Sequence, residues 1–194
     1  MGKAIPYGIY DVLRNCGTVY VGASADTPEF AVATLARWWE EEGRAAYPEA
    51  KQILILADSG GSNGCRPRMW KQQLQEHFSD RYSLTVTVSH YPTGRSKWKP
   101  IEHRLFSQIS QNWAGIPLRS FETVLNYLRG TTTQTGLTVR ASLLEGEFAK
   151  GQKVSDQQMQ QLHIEFAEVC SRWNYTLRPH VQVLEEHREP EVIF

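Results

Sequence analysis

A chain of 194 residues, 41% hydrophobic and 22% charged, has the composition of an ordinary globular protein and the length of one domain with a small appendage, which excludes wholesale disorder, a collagen-like repeat and a coiled coil. Its 21 basic and 21 acidic residues cancel, so no global field marks it as a binder of nucleic acid or anionic membrane. The charge is uneven, however: residues 58–119 hold nine basic and four acidic side chains, a net +5. Cys16, Cys65 and Cys170 are far apart, with no CxxC or Cys/His spacing, and suggest neither a disulfide framework nor a structural zinc site. No apolar run approaches the roughly 18 residues needed to span a bilayer, and the first residues have no signal-peptide character. A soluble cytoplasmic protein with no membrane partner is expected.

In chain order, residues 5–22 read as a β-hairpin: Ile5, Tyr7, Ile9 and then Val19, Val21 alternate with other residues on either side of Arg14-Asn15-Cys16-Gly17. Thr27-Pro28-Glu29 has the form of a helix start, and Phe30, Leu35, Trp38 and Trp39 continue it as an apolar stripe to about Gly43. Residues 51–57 (KQILILA) form an apolar run that predicts a strand buried on both faces, ended by Asp58-Ser59-Gly60-Gly61. A helix over 67–78 and a strand over 84–88 complete a β-α-β crossover, with parallel pairing expected. The basic loop 90–100 leads into a helix carrying Ile101, Glu102, Leu105, Phe106 and Ile109. Another helix is predicted over 118–127, a polar break at 131–133, and a helix over 155–170 capped by Ser155 or Asp156; Glu185 to Glu191 read as a solvated tail.

Two acids stand out. Asp58 ends a strand and Glu102 lies in the first turn of a later helix, so both can reach the sheet edge at which open α/β folds bind ligands. Converging carboxylates need a cation between them, and such oxygen ligands suit Mg²⁺ or Mn²⁺, which in paired-ion sites activate a nucleophile on a phosphodiester. Arg95, Lys97, Trp98 and Lys99 combine cations with an aromatic ring just before that helix, a set that can clamp a DNA backbone and stack a base. Each feature also has a simpler reading: an Asp turn at Asp58, a helix-dipole acid at Glu102, a solvated basic loop at 95–99 with Trp98 in the core.

The stretches PYGIYD (6–11), VGASADTPEFAVATLARWW (21–39), ADSGGSNGCRPRMWK (57–71), YPTGRSKWKPIEHRLFSQISQNWAG (91–115), TTTQTGLTV (131–139) and RWNYTLRP (172–179) resemble the DDE transposases of bacterial insertion sequences called the Rhodopirellula transposase family. Asp58 in ADSGGSN matches that family's second catalytic acid, and Glu102 in GRSKWKPIEHRLF its third. The resemblance implies an α/β fold with an RNase H-like mixed sheet flanked by helices, Mg²⁺ or Mn²⁺ as cofactor, transposon-end and target DNA as partners, and a homo-oligomer as a further expectation.

The family's first acid lies on a central strand upstream of the PYGIYD segment. With Met1 five residues before Pro6, that strand is expected to be missing, the chain being an N-terminally truncated transposase. The division that follows is a core over 1–130 and a helical C-terminal extension over 131–194 packed on it. Asp11 could substitute for the absent acid, but turn chemistry explains it. Asn63 reads as a ligand-orienting group or a helix cap, and His103 as a proton carrier or a surface residue. Arg66, Arg68 and Lys71 read as a solvated helix face, and Trp38, Trp39, Trp70, Trp113 and Trp173 as packing aromatics. DNA cleavage and strand transfer is thus the expected activity, impaired by the absent first Asp. A non-catalytic DNA-binding or oligomerising remnant and an RNase H-like nuclease are the alternatives.

Overall fold

The structure is a computed structural model and describes residues 4–180. The expected hairpin is present as β1 (Ile5–Asp11) and β2 (Cys16–Gly22), antiparallel from Ile5 opposite Gly22 to Asp11 opposite Cys16. Its turn falls earlier than predicted, with Asn15 in the left-handed region (φ 51°) that Asn tolerates and Cys16-Gly17 already in the strand. β3 (Gln52–Asp58) and β4 (Thr85–Tyr91) pair in parallel, as the crossover requires. Later strands complete two sheets. β5 (Thr138–Leu144) lies parallel to β2, giving the order β1-β2-β5, while β7 (Asn174–Leu177) runs antiparallel to β4 and carries β6 (Ile164–Phe166), giving β3-β4-β7-β6. The described strands thus form two mixed sheets: β1 and β3 do not pair, and each is the edge strand of its own sheet.

Thr27 caps α1 (Pro28–Trp38), its Oγ1 accepting the Phe30 N–H at 3.3 Å. The helix passes through a π-helical turn at Trp39–Gly43 into α2 (Arg44–Ala46), three residues beyond its expected end. The second helix has the same form: α3 (Arg68–Leu74), a π-helical turn at Gln75–Ser79, then α4 (Asp80–Tyr82), stopped by Ser83 at φ 54°. These helices bury Phe30, Leu35, Trp38, Trp70, Leu74 and Phe78 against Tyr20 of one sheet and Val86, Val88, Tyr175 and Leu177 of the other, so a single core holds both sheets. Val19 and Val21 alternate with Tyr20 and face a second core, with Leu105, Ile109, Val124 and Leu128 of the segment that holds α5 (Ser107–Asn112) and α6 (Phe121–Arg129).

Three expectations are corrected. β3 is not buried on both faces: Leu54 and Leu56 are 60% and 46% exposed, because the second pair of helices covers the first sheet and leaves one face of this edge strand open. The helix over 155–170 shrinks to α7 (Asp156–Gln160), closed at its start by a Ser155–Gln158 capping box, after which the chain extends to pair as β6 with β7. Among the described residues the C-terminal extension is consequently built mainly on strands, with α7 as a short helix. Residues 185–191 lie outside the described residues. No helix among the described residues is long and apolar enough to cross a membrane.

Two glycines set how closely the helix after β4 approaches the first sheet. A Cβ on Gly17 would run into the Leu105 side chain, and one on Gly8 would lie 2.6 Å from the Phe106 ring. Gly17→Ala should cost about 1–3 kcal/mol by overpacking against fully buried Leu105, read as a lower denaturation midpoint in urea. Elsewhere, His180 is held by Asp80 at 3.0 Å and by the Gln161 carbonyl at 3.1 Å. The Asp80 carboxylate raises its pKa above the ordinary 6.5, against the opposing effect of burial. A raised folded-state pKa means that this stabilisation is complete below the unfolded imidazole's value and is lost as pH climbs through the folded one. Thermal melts should therefore show a smaller drop in Tm between pH 6 and pH 8 for Asp80→Asn than for the wild type.

Candidate functional site

The parallel register of β3 and β4 puts Asp58 opposite Tyr91, so both strands end at one edge and both following loops rise from it. Beyond β3 the chain doubles back tightly: Gly61 has φ 77°, Cys65 N–H donates to the Ser59 carbonyl at 3.2 Å, and a Cβ on Gly64 would meet that carbonyl at 2.8 Å. Only glycine fits there. His90, buried in β4, donates from Nδ1 to the Asp58 carbonyl at 2.6 Å and so fixes the backbone from which the Asp58 carboxylate projects. Burial holds this imidazole below its ordinary pKa, with the Asp58 carbonyl pushing the other way, and leaves Nε2 enclosed without a partner.

After β4, the loop turns at Gly94 (φ 76°), makes a short 3₁₀ turn at Ser96–Trp98, and enters the next helix, which opens on a π-helical turn at Glu102–Phe106. Asp58 and Glu102 arrive at the same point. The Lys99 Nζ donates to Asp58 Oδ1 at 2.6 Å and to Glu102 Oε1 at 3.4 Å. The Lys99 side chain is 9% exposed, whereas the carboxylates are 52% and 38% exposed, so the ammonium reaches the pair from within and the acids open to solvent. Burial alone would lower its pKa; the two carboxylates outweigh that and hold it above the ordinary lysine value, fully charged. Lys99, read from sequence as a DNA contact, is thus a bridge between the acids: the short link through Pro100 leaves its side chain on their side of the helix start.

The other candidates separate. Trp98 is 64% exposed rather than in the core, with the Lys97 Nζ 5.2 Å from its ring centroid, and Arg95 and Lys97 are also exposed. His103 donates from Nε2 to the Lys97 carbonyl at 2.8 Å, bracing the loop. Asn63 caps no helix; its Nδ2 donates to the Tyr7 hydroxyl at 3.0 Å, tying the loop after β3 to β1 of the other sheet. Asp11 accepts the Leu13 and Arg14 amides and the Tyr47 hydroxyl, the turn chemistry expected of it. Lys71 departs from the solvated reading: it is buried, its Nζ bonded to the Cys65 carbonyl at 2.6 Å and 5.1 Å from the Tyr175 ring centroid. Arg68 pairs with Asp156 at 2.6 Å.

A cavity of about 950 Å³ adjoins Asp58, lined among others by Tyr7, Asp26, Arg66, Arg172 and Trp173. Arg172 and His90 escaped sequence reasoning. The signal for Arg172 was the RWNYTLRP stretch, whose pairing with β4 brings it to this edge; nothing local marked His90. Among the described residues no group of three or more His, Cys, Asp or Glu side chains could hold a metal ion. The acid pair nevertheless fits Mg²⁺ or Mn²⁺: two solvent-facing carboxylates already converge on a cation, and Mg²⁺ is commonly held by one or two carboxylates with the remaining positions left to water or phosphate.

No curated protein and no solved structure matches the chain. A family model described as the Rhodopirellula transposase DDE domain matches residues 1–179, almost the whole chain. Together with the meeting of Asp58 and Glu102 at one sheet edge, that match identifies the chain as a member of the Rhodopirellula family of DDE transposase domains.

Proposed function

We propose that the chain carries the chemistry of DNA transposition, metal-dependent phosphodiester cleavage followed by strand transfer, with Asp58 and Glu102 as two of the acids that hold the ion. The observation that carries this reading is the convergence of two carboxylates, distant in sequence, on one ammonium nitrogen at the carboxyl ends of β3 and β4. DDE transposase domains generally use divalent metals, which supply Lewis acidity and charge neutralisation at the phosphate. The chain's own residues hold and aim. His90 fixes the Asp58 backbone, Arg95 and Lys97 meet phosphates, and Trp98 offers an exposed face to a base or sugar.

In this reading β1 and β2 are the second and third strands of an RNase H-like sheet, and β3 and β4 its fourth and fifth. Two facts support it: β1 and β3, which that arrangement separates by one strand, are the edge strands of their sheets, and residues of both line the cavity beside Asp58. The family's first acid belongs on that intervening strand, and Asp26 is the other carboxylate at the cavity.

With Mg²⁺ or Mn²⁺, the chain should nick supercoiled DNA, and Asp58→Ala or Glu102→Ala should reduce nicking to background on agarose gels. Joining of a pre-cut element end to target DNA distinguishes a transposase from an RNase H-like nuclease, which would hydrolyse without joining. DNA binding with no nicking by the unsubstituted chain would favour the non-catalytic module. Trp98→Ala should weaken single-stranded DNA binding by about 1–3 kcal/mol in fluorescence anisotropy while leaving Tm unchanged, because the ring packs into no core.

A further inference from the structure

The acid pair already holds a cation of its own. Lys99 Nζ contacts Asp58 Oδ1 at 2.6 Å and Glu102 Oε1 at 3.4 Å, and its side chain is the enclosed member of the three. A divalent ion held by Asp58 and Glu102 would take over the oxygens that the ammonium contacts and would repel it. The two cations exclude each other. Leaving costs Lys99 no backbone movement, because its carbonyl stays bonded to the Glu102 N–H at 3.1 Å while the four-carbon side chain rotates.

We propose that Lys99 is an internal counter-ion of the acid pair, holding Asp58 and Glu102 together while no metal is bound and giving way to the divalent ion when it enters. The inference rests on the reading of Asp58 and Glu102 as metal-holding acids. It makes ion binding a competition: the site must be vacated by its own lysine, which lowers apparent metal affinity and couples ion arrival to the release of a positive charge beside the DNA-facing loop. The acids need no third partner to stay together in the ion-free protein.

Lysine acetylation followed by peptide mass spectrometry tests this on the unsubstituted chain, with Lys97 as exposed internal reference. Without metal, Lys99 should label several-fold more slowly than Lys97; saturating Mn²⁺ should raise Lys99 labelling several-fold and leave Lys97 unchanged. In parallel, Mn²⁺ titration followed by electron paramagnetic resonance should show Lys99→Met binding about tenfold more tightly than wild type, the factor expected if the ammonium vacates the acids a tenth of the time. Circular dichroism checks that Lys99→Met folds, and the labelling result decides if it does not. Mn²⁺ binding that Asp58→Asn abolishes, with Lys99 labelling unchanged or with Lys99→Met binding no tighter, overturns the counter-ion role and leaves the metal site standing. No Mn²⁺ binding by either wild type or Lys99→Met overturns both.

Discussion

Two carboxylates brought to one point repel unless positive charge lies between them, and everything about the edge of the second sheet in this chain is arranged around that constraint. Asp58 is fixed by strand register and by the buried His90 behind it; Glu102 is fixed by a helix start that Pro100 leads into. Lys99, sandwiched in sequence between the basic loop and that proline, supplies the neutralising charge from the protein side. The solvent side stays open. An arrangement that protects the acids from each other without burying them keeps them available to a ligand, which a purely structural ion pair has no reason to do.

The helix that carries Glu102 is positioned by two surfaces at once. Its opening π-helical turn lets consecutive residues, Leu105 and Phe106, pack against the first sheet over Gly17 and Gly8, while Glu102 one turn earlier reaches the end of the second. The helix thus spans the two sheets. Asn63 makes a second connection of the same kind through Tyr7, and the shared core of Phe30, Trp70 and Tyr175 a third. The separation of β1 from β3 is bridged by side chains rather than by a hydrogen-bonded ladder.

Local pattern revealed a large part of this. The alternation of residues 5–22, the Thr27-Pro28 cap and the apolar run before Asp58 each determine an element from neighbours in sequence, and the crossover followed from their order. The acid pair was legible because strand ends and helix starts are themselves local signals. What escaped depends on distant partners. Ile164–Phe166 is a strand only because β7 lies beside it, and β7 because β4 offers an edge; the sequence of three such residues contains neither fact. The exposure of Leu54 and Leu56 reflects which sheet the later helices cover, and Lys99's role depends on a carboxylate at the end of a different strand.

The pairing of β7 with β4 also orders the events of synthesis. Thr87 and Thr176 share a hydrogen bond across 89 positions, and the Trp70 indole N–H donates to a Tyr175 hydroxyl 105 positions later. A growing chain therefore holds β4 with one edge bare until β7 has been made, exposed to any extended segment nearby. The sheet that bears the acids is begun by β3 and β4 and completed only by β6 and β7, the last strands of the described residues, so the strand next to the acids waits longest for its second neighbour.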